Sequence, residues 1–554
     1  MNAKRAGADE LVFLPLGGAG EIGMNLNLYG FGPPDARKWI MLDCGVTFGR
    51  EDDTPGVDLI MPDPAFIAER RKDLLAIVLT HGHEDHLGAV AHLWPGLKCP
   101  VYATPFTAAL LRGKLEEEGL LEQVKLRVIP MRGRIELGPF ELELVTLTHS
   151  IPEPNAVIVR TPLGAVLHTG DWKIDPDPLI GDPTDEETLR QLGEDGVLAM
   201  VCDSTNALVE GHSGSEATVR EALIRLIGTL KNRVAVTSFA SNVARLESVV
   251  MAAEAHGRRV ALAGRSMFRI VDAAREAGLL KHLPPFISAE DAAHLPRNKV
   301  LYLCTGSQGE PGAALSRVAN DDHPDIVLEE GDAVVYSSRV IPGNERGIYA
   351  VHNALAERGI QIITDKDHFV HVSGHPCRDE LAQMYRWVRP RIAIPVHGEM
   401  RHMREHARLA RDIQVPEVLE MVNGQLARLA PGKATVVDEA PSGRLYLDGA
   451  VLTREGEAAV KSRRGLSFAG MIAVTLILDQ KNRFVADPVV VCEGIPEEVV
   501  NAVYEAADDF AGRADLKRLR DDDDLAEAAR RAIRHAARAI WNKKPITRVE
   551  VVRV

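Results

Sequence analysis

In "MNLNLYGFGPP", Met24 to Pro34, apolar and polar positions alternate and then meet two prolines. That is the two-residue period of a strand. The run before it, "LVFLPL", reads as a second strand. A hairpin of strands 11–16 and 24–30 is therefore predicted, with a third strand at "KWIMLDCG". Gly18, Gly20 and Gly23 between them imitate a dinucleotide-binding fingerprint, and Asp43 stands about where a ribose carboxylate belongs. Such a site needs a helix directly after the glycines, and the strand pattern there excludes it.

Short apolar runs predict further strands at 74–80, 99–103, 125–130, 140–147, 156–160, 165–169 and 197–202. Helices are predicted near 87–94 and 105–117. This is a mixed, sheet-rich domain. After about residue 206 the rhythm changes. Ser213 and Glu216 read as a capping box before an amphipathic helix. Strands and helices then alternate to "IQIIT", as in a doubly wound parallel sheet. More short strands are expected at 370–440. The polar, irregular stretch around 440–465 reads as a linker. A last unit runs from "GMIAVTLILD" through two helices to "TRVEVVRV"; Asp521–Asp524 and the arginines after them read as solvated faces and helix-dipole partners.

Composition narrows the picture. The 554 residues exceed what one core holds, so two to four domains are expected. No apolar run is long enough to span a membrane, and no secretory signal is read at the N-terminus. Six scattered cysteines, without a C-x-x-C pair, suit free thiols in a reducing cytoplasm. The net charge of −14 argues against generic polyanion binding but leaves room for a local channel.

The chemistry concentrates in "LTHGHEDHLG". His81, His83, Asp85 and His86 crowd the loop after an apolar strand, a costly arrangement unless a cation holds it. Imidazole with carboxylate suits zinc or manganese. His149, Asp171 and His397 each stand at the end of an apolar run and are candidate partners. His92, His168, His352 and His406 read as structural.

These residues carry a resemblance. Asp43 in "LDCG", the histidine loop, His149 in "THS" and Asp171 in "LHTGDWKID" resemble the motifs of the metallo-β-lactamase superfamily. "CDSTN", "HVSGHP" and "PVHGEM", with Asp203, His375 and His397, resemble those of its β-CASP nucleases. "TSFASNVARL", "TGSQGEPGAALSR" and "SGHPCRDEL" are similar to the bacterial ribonuclease J family. Pro154 departs from the pattern, standing where a small polar residue is expected.

The resemblance implies an α/β architecture: a metallo-β-lactamase αββα sandwich (1–205 and 369–440), an inserted doubly wound β-CASP domain (206–368), a linker (441–465) and a small α/β C-terminal domain (466–554). It implies a ribonuclease of RNA maturation and mRNA decay, 5′→3′ exonucleolytic and endonucleolytic, in which a metal-activated hydroxide attacks the phosphodiester and leaves 5′-phosphate products. His81, His83 and His149 would hold one divalent ion, and Asp85, His86 and His397 a second, with Asp171 bridging. Zn²⁺ ranks first, with Mn²⁺ and Mg²⁺ as alternatives. Asp43 would orient the loop from behind. His375, Asp171 and Asp85 would be catalytic. Ser373, Gly374 and His375, with Ser238, Ser241 and Ser307, would meet RNA phosphates, as could Arg245, Arg317 and Arg339. A cytoplasmic homodimer or homotetramer preferring 5′-monophosphate RNA is expected, open to RNA-degradation partners and free of membrane. Two alternatives stand beside it: a small-molecule metallohydrolase acting on a thioester or β-lactam, and a weakly active RNA-binding scaffold subunit.

Overall fold

A computed structural model describes residues 8–50, 52–513 and 521–554. The chain divides into two compact units, Met1–Thr47 with Met61–Gly443, and Phe48–Ile60 with Arg444–Val554. No helix among the described residues is long and apolar enough to cross a membrane.

Two sheets form the base of the first unit. The strands Glu10–Gly17 and Leu26–Gly32 pair antiparallel as the alternation predicts, with Lys38–Leu42 beside them, inside an eight-stranded sheet. The second sheet has seven strands. Its order runs from Arg134–Leu137 through Phe140–Thr146, Asn155–Thr161, Gly164–His168 and Ala199–Asp203 to Ile392–Val396 and Glu417–Val418. Leu11, Phe13, Ile40 and Val78 of one sheet pack in one core with Leu142, Val157, Val201 and Ile394 of the other. Helices Glu186–Asp195 and Arg378–Val388 cover the outer face of the second sheet through Leu189, Leu381 and Trp387. Each of these large apolar side chains contributes roughly 1.5–3 kcal/mol by leaving water.

Between Ala199–Asp203 and Ile392–Val396, neighbours in the second sheet, the chain makes its insert. Five strands, all parallel, run in the order Arg259–Ala263, Val300–Cys304, Val234–Thr237, Ala333–Tyr336, Gln361–Ile363. Separate apolar clusters line the two faces, as a doubly wound sheet requires.

Four expectations need correction. The cap of helix Glu216–Thr229 is Ser215, which accepts from Ala217 N, not Ser213. Ser213 and Glu216 are engaged elsewhere: Ser213 donates to the buried Glu380, and Glu216 pairs with Arg245. Arg245 therefore lines no RNA path. It is fully buried, bidentate to Glu216, and donates to Ser337 and to Val370 O. Burial alone would raise the Glu216 carboxyl; the Arg245 guanidinium outweighs it and holds it below its ordinary range. Residues 441–465 are not a linker: Arg444–Asp448 pairs with Val451–Arg454 as a hairpin, followed by helix Ala458–Ala469. The 370–440 stretch also holds two helices, Arg378–Val388 and Met400–Asp412, that its short apolar runs conceal.

Removing one member of a buried pair strands the other charge, which costs about 3–5 kcal/mol. Arg245→Met is expected to lower stability by that amount, read as a fall in the denaturation midpoint. A variant of unchanged stability would contradict the buried-pair reading.

In the second unit, Met471–Leu478 alternates faces and lies between Val489–Glu493 (antiparallel) and Ile546–Arg553 (parallel). Its inward set, Ile472, Val474, Leu476 and Leu478, packs on helices Glu497–Arg513 and Asp522–Trp541 through Val499, Val503, Ala529 and Ile533. Asp521 caps the second helix by accepting from Asp524 N, so the acidic run does serve a helix N-terminus.

Candidate metal centre

The glycine turn of the first hairpin has a structural purpose. Gly18 lies at φ +86°, and a Cβ there would stand 2.2 Å from Asn25 Oδ1. Its carbonyl accepts from His397 N at 2.6 Å. The turn thus lets Asn25 and His397 meet, and Asn25 Oδ1 lies 3.0 Å from His397 Nδ1.

Strand Leu74–Val78 delivers the histidine loop, and helix Glu84–Leu87 begins within it. His81 and His86 are buried, as are His149, Asp171 and His397 from three other strand ends. Donor atoms of His81, His83, His149 and Asp171 lie within 4.8 Å of one another. Those of Asp85, His86, Asp171 and His397 do the same. Asp171 belongs to both groups; a third set within the same distance, Asp171, Asp203, His375 and His397, overlaps them.

In the first group, His83 Nδ1 lies 3.1 Å from His81 Nε2 and 3.0 Å from His149 Nε2. A ring nitrogen has one proton or one lone pair, so three nitrogens converging on a point are poorly served by hydrogen bonds. Tetrahedral zinc with bonds of 2.0–2.1 Å sets its ligand atoms about 3.3 Å apart, close to this spacing. In the second group, His86 Nε2 is 3.2 Å from Asp171 Oδ1 and 3.7 Å from Asp85 Oδ2. His397 Nε2 is 3.4 Å from Asp171 Oδ2 and 3.6 Å from Asp85 Oδ2. Asp171 Oδ1 and His397 Nε2 are buried without a hydrogen-bond partner, which suits atoms meant for a cation.

Behind each histidine stands an oxygen. Thr80 Oγ1 faces His81 Nδ1, Ser241 Oγ faces His83 Nε2, and Gly374 O faces His149 Nδ1. Asp43 Oδ2 faces His86 Nδ1 at 2.7 Å, and the Asn25 amide faces His397 Nδ1 with Nδ2 at 2.9 Å and Oδ1 at 3.0 Å. An outward nitrogen that donates to oxygen leaves the inward one with its lone pair. Asp43 also accepts from Thr80 N and Thr80 Oγ1, which ties it to the start of the loop. Burial drives the His81 and His149 rings well below their usual pKa and takes His83 to about 4, so these rings are neutral donors. Burial disfavours charge on both Asp171 and His86, but each holds the other charged. Asp171, then Asp85 and Asp43, push the His86 pKa well up, and His397 and His86 keep the Asp171 carboxyl ionised, a positive charge that a bound cation would supply in place of the ring proton.

His375 stands beside this cluster. Its Nδ1 is 2.8 Å from Asp203 Oδ2 and 3.8 Å from Asp171 Oδ2. Burial opposes its protonation, yet Asp203 and then Asp171 and Asp85 push its pKa up to about 9. Gly374 has no room for a side chain: a Cβ would lie 2.9 Å from His149 Cε1 and 2.6 Å from Ser150 Oγ. Ser373 Oγ accepts from Asn206 Nδ2 and from His375 N. Ser241 reaches the cluster through His83. Ser238 and Ser307 lie buried past the C-terminal ends of two neighbouring parallel strands and make no hydrogen bond to it. Of the three arginines expected along the RNA path, Arg339 is exposed and Arg317 pairs with Asp322 on the surface. Pro154 leaves His149 in place, and Pro154 O accepts from Leu147 N.

Sequence reasoning gave no role to Asn25 or Asn206, and named Asp203 only as part of the "CDSTN" motif. The sign that singled out Asp171, a polar residue ending an apolar run, also marks Asp203 in "AMVCD".

Family models match in succession along the chain. They are the metallo-beta-lactamase superfamily (residues 34–236), the ribonuclease J beta-CASP domain (231–355), the Zn-dependent metallo-hydrolase RNA specificity domain (359–417) and the ribonuclease J C-terminal domain (458–554). Ribonuclease J of Sinorhizobium meliloti is 50% identical over 552 residues, covering 99% of this chain and 98% of that one. Ribonuclease J of Thermus thermophilus is 37% identical over 550 residues, covering 98% and 91%. A crystal structure of a protein of unknown function from Enterococcus faecalis shares the fold, with a TM-score of 0.51 at 16% identity over 75% of this chain and 99% of that one. The residues of the two His/Asp groups are thus set in a metallo-β-lactamase sandwich interrupted by a β-CASP insert, and the chain belongs to the ribonuclease J family.

Proposed function

We propose that this metal-dependent ribonuclease cleaves RNA with two divalent ions and acts both as a 5′→3′ exonuclease and as an endonuclease, in RNA maturation and mRNA decay. The observation that carries the reading is the pair of four-residue groups sharing Asp171, each histidine backed by an oxygen. His81, His83 and His149 would hold one ion, Asp85, His86 and His397 the other, and Asp171 both. The imidazole-rich set favours Zn²⁺ over Mn²⁺ or Mg²⁺. When bound, the pair supplies a water of lowered pKa and neutralises charge gathering on a phosphoryl group.

The chain's own residues do the rest. Asp203 takes the Nδ1 proton of His375 as a hydrogen bond, which fixes the ring and turns Nε2 to catalytic use. Nε2–H would donate to the leaving 3′-oxygen or to a non-bridging oxygen, leaving a 5′-phosphate on the downstream product. Asn206 steadies the turn by donating to Ser373 Oγ and to His375 O. The Ser373 hydroxyl proton then remains to meet a phosphate, with Ser241 across the cluster. Assembly into a cytoplasmic homodimer or homotetramer through the C-terminal unit belongs to the same reading. Its support is the exposed Val489, Val491 and Val552 on the sheet face away from the helices.

A terminal monophosphate seated at the Ser373–His375 turn would set the first linkage beside the cluster. A hydroxyl end would leave donors unpaired, at roughly 1–3 kcal/mol, or several-fold to about a hundredfold in rate. Mononucleotide release from 5′-monophosphate RNA should exceed that from 5′-hydroxyl and 5′-triphosphate versions of the same RNA. Ser373→Ala should shrink the difference more than it slows internal cleavage. Equal initial rates on the three RNAs would end the idea of a 5′-end pocket.

A further inference from the structure

The chain is acidic overall, yet residues 528–549 contain seven Lys and Arg and no Asp or Glu. In the second unit these side chains collect around a groove of about 690 Å³, lined by Arg530, Arg531, Arg534, Arg538, Lys544 and Arg548 among others, none of them acidic. We propose that this groove is an RNA-backbone binding site of the C-terminal unit, separate from the metal centre and able to hold several successive phosphates of a single strand. The proposal rests on the ribonuclease reading for its choice of polyanion.

The helix itself argues for a ligand. Leu525, Ala529, Ile533 and Ala537 point to the core, so packing is satisfied without the arginines. Arg530, Arg534 and Arg538 stand four residues apart, one ridge spanning about 12 Å at 1.5 Å per residue. Like charges at that spacing repel and destabilise a helix, whereas a surface helix built for stability alternates signs. Glu527 meets Arg530 and Arg531. Among the described residues, Arg534, Arg538, Lys544 and Arg548 have no acidic partner. The helix dipole accounts for Arg538 in the last turn, but not for arginines one and two turns earlier. A row of this length exceeds what one small anion needs and matches a chain of phosphates, whose charge offsets the repulsion. Arginine also bonds phosphate bidentately, so each contact adds direction as well as charge.

The test uses the full-length, metal-loaded enzyme and Arg534→Gln/Arg538→Gln, on a 5-nucleotide and a 40-nucleotide RNA with the same 5′ end. The short RNA has too few phosphates to fill both sites at once, so its kcat/KM should stay unchanged. For the long RNA, KM should rise about 10-fold at moderate salt. The slope of log KM against log salt should fall by roughly 1.4, at about 0.7 per phosphate contact on a single strand. Arg534→Lys/Arg538→Lys should keep most of the long-RNA affinity. If the wild type cleaves both RNAs and the Gln variant matches it on both, the groove does not bind RNA. Equal loss in the Lys variant, or loss accompanied by a changed mass in light scattering, would also overturn the proposal and give the groove to a protein contact. A wild type that cleaves neither RNA would instead overturn the ribonuclease reading.

Discussion

Asp171→Ala is expected to abolish RNA cleavage, by roughly 10⁴-fold or more, and to empty both metal positions. Asp171 offers Oδ1 toward His86 and Oδ2 toward His397, His149 and His81, so it is the one side chain that both groups share. Removing it leaves three donors on each side and brings five histidines together with no bridging anion. Several kcal/mol of charge stabilisation go with the ions, and each 1.4 kcal/mol is a factor of ten in rate. His81→Ala should be nearly as damaging, but should spare more of the ion held by Asp85, His86 and His397. Metal content and single-turnover cleavage, measured on the same preparations, check both. An Asp171→Ala protein with full metal and wild-type cleavage would refute the assignment.

His375→Ala should separate chemistry from metal binding. His375 touches the cluster through Nδ1, the ring nitrogen 3.8 Å from Asp171 Oδ2, but that nitrogen is already bonded to Asp203 Oδ2 and is not free for an ion. The variant should keep most of its metal and slow cleavage by about 10²–10⁴-fold, the usual worth of a general acid or base. Asp203→Asn keeps the shape and weakens the orientation of the ring, so it should fall between wild type and His375→Ala. Loss of both metals from His375→Ala would make His375 a ligand. An unchanged rate in His375→Ala would remove it from catalysis.

Much of this candidate site is legible in the chain because rigid strand ends present its polar side chains. His149, Asp171 and His397 each interrupt the end of an apolar run, and the structure brings all three to the histidine loop. Asn25 escaped because it lies at a polar position of an alternating strand. Periodicity cannot tell a polar side chain facing solvent from one facing a buried cluster; Asn25 is 2% exposed. Arg245 misled for a related reason. A helix arginine reads as solvated, and the partners that make its burial tolerable, Glu216, Ser337 and Val370 O, all lie far away in sequence. The hairpin at Arg444–Arg454 does not announce itself because its apolar residues, Leu445, Tyr446 and Leu447 and then Val451 and Leu452, are consecutive and do not alternate with polar ones; Tyr446 alone among its strand residues is buried. The parallel sheet of the insert was the easiest part to read, because strands covered on both faces need long apolar runs.

The most direct test of the account is one experiment on the purified full-length chain. Bound metal is measured, and a single RNA, labelled in turn at each end, is followed before chelation, after it, and after metal is restored. The account predicts two divalent ions per chain, products carrying 5′-phosphates, loss of cleavage on chelation and recovery on re-addition. Cleavage that persists in protein stripped of metal, or a fully metal-loaded chain that leaves both labelled RNAs intact, would contradict it.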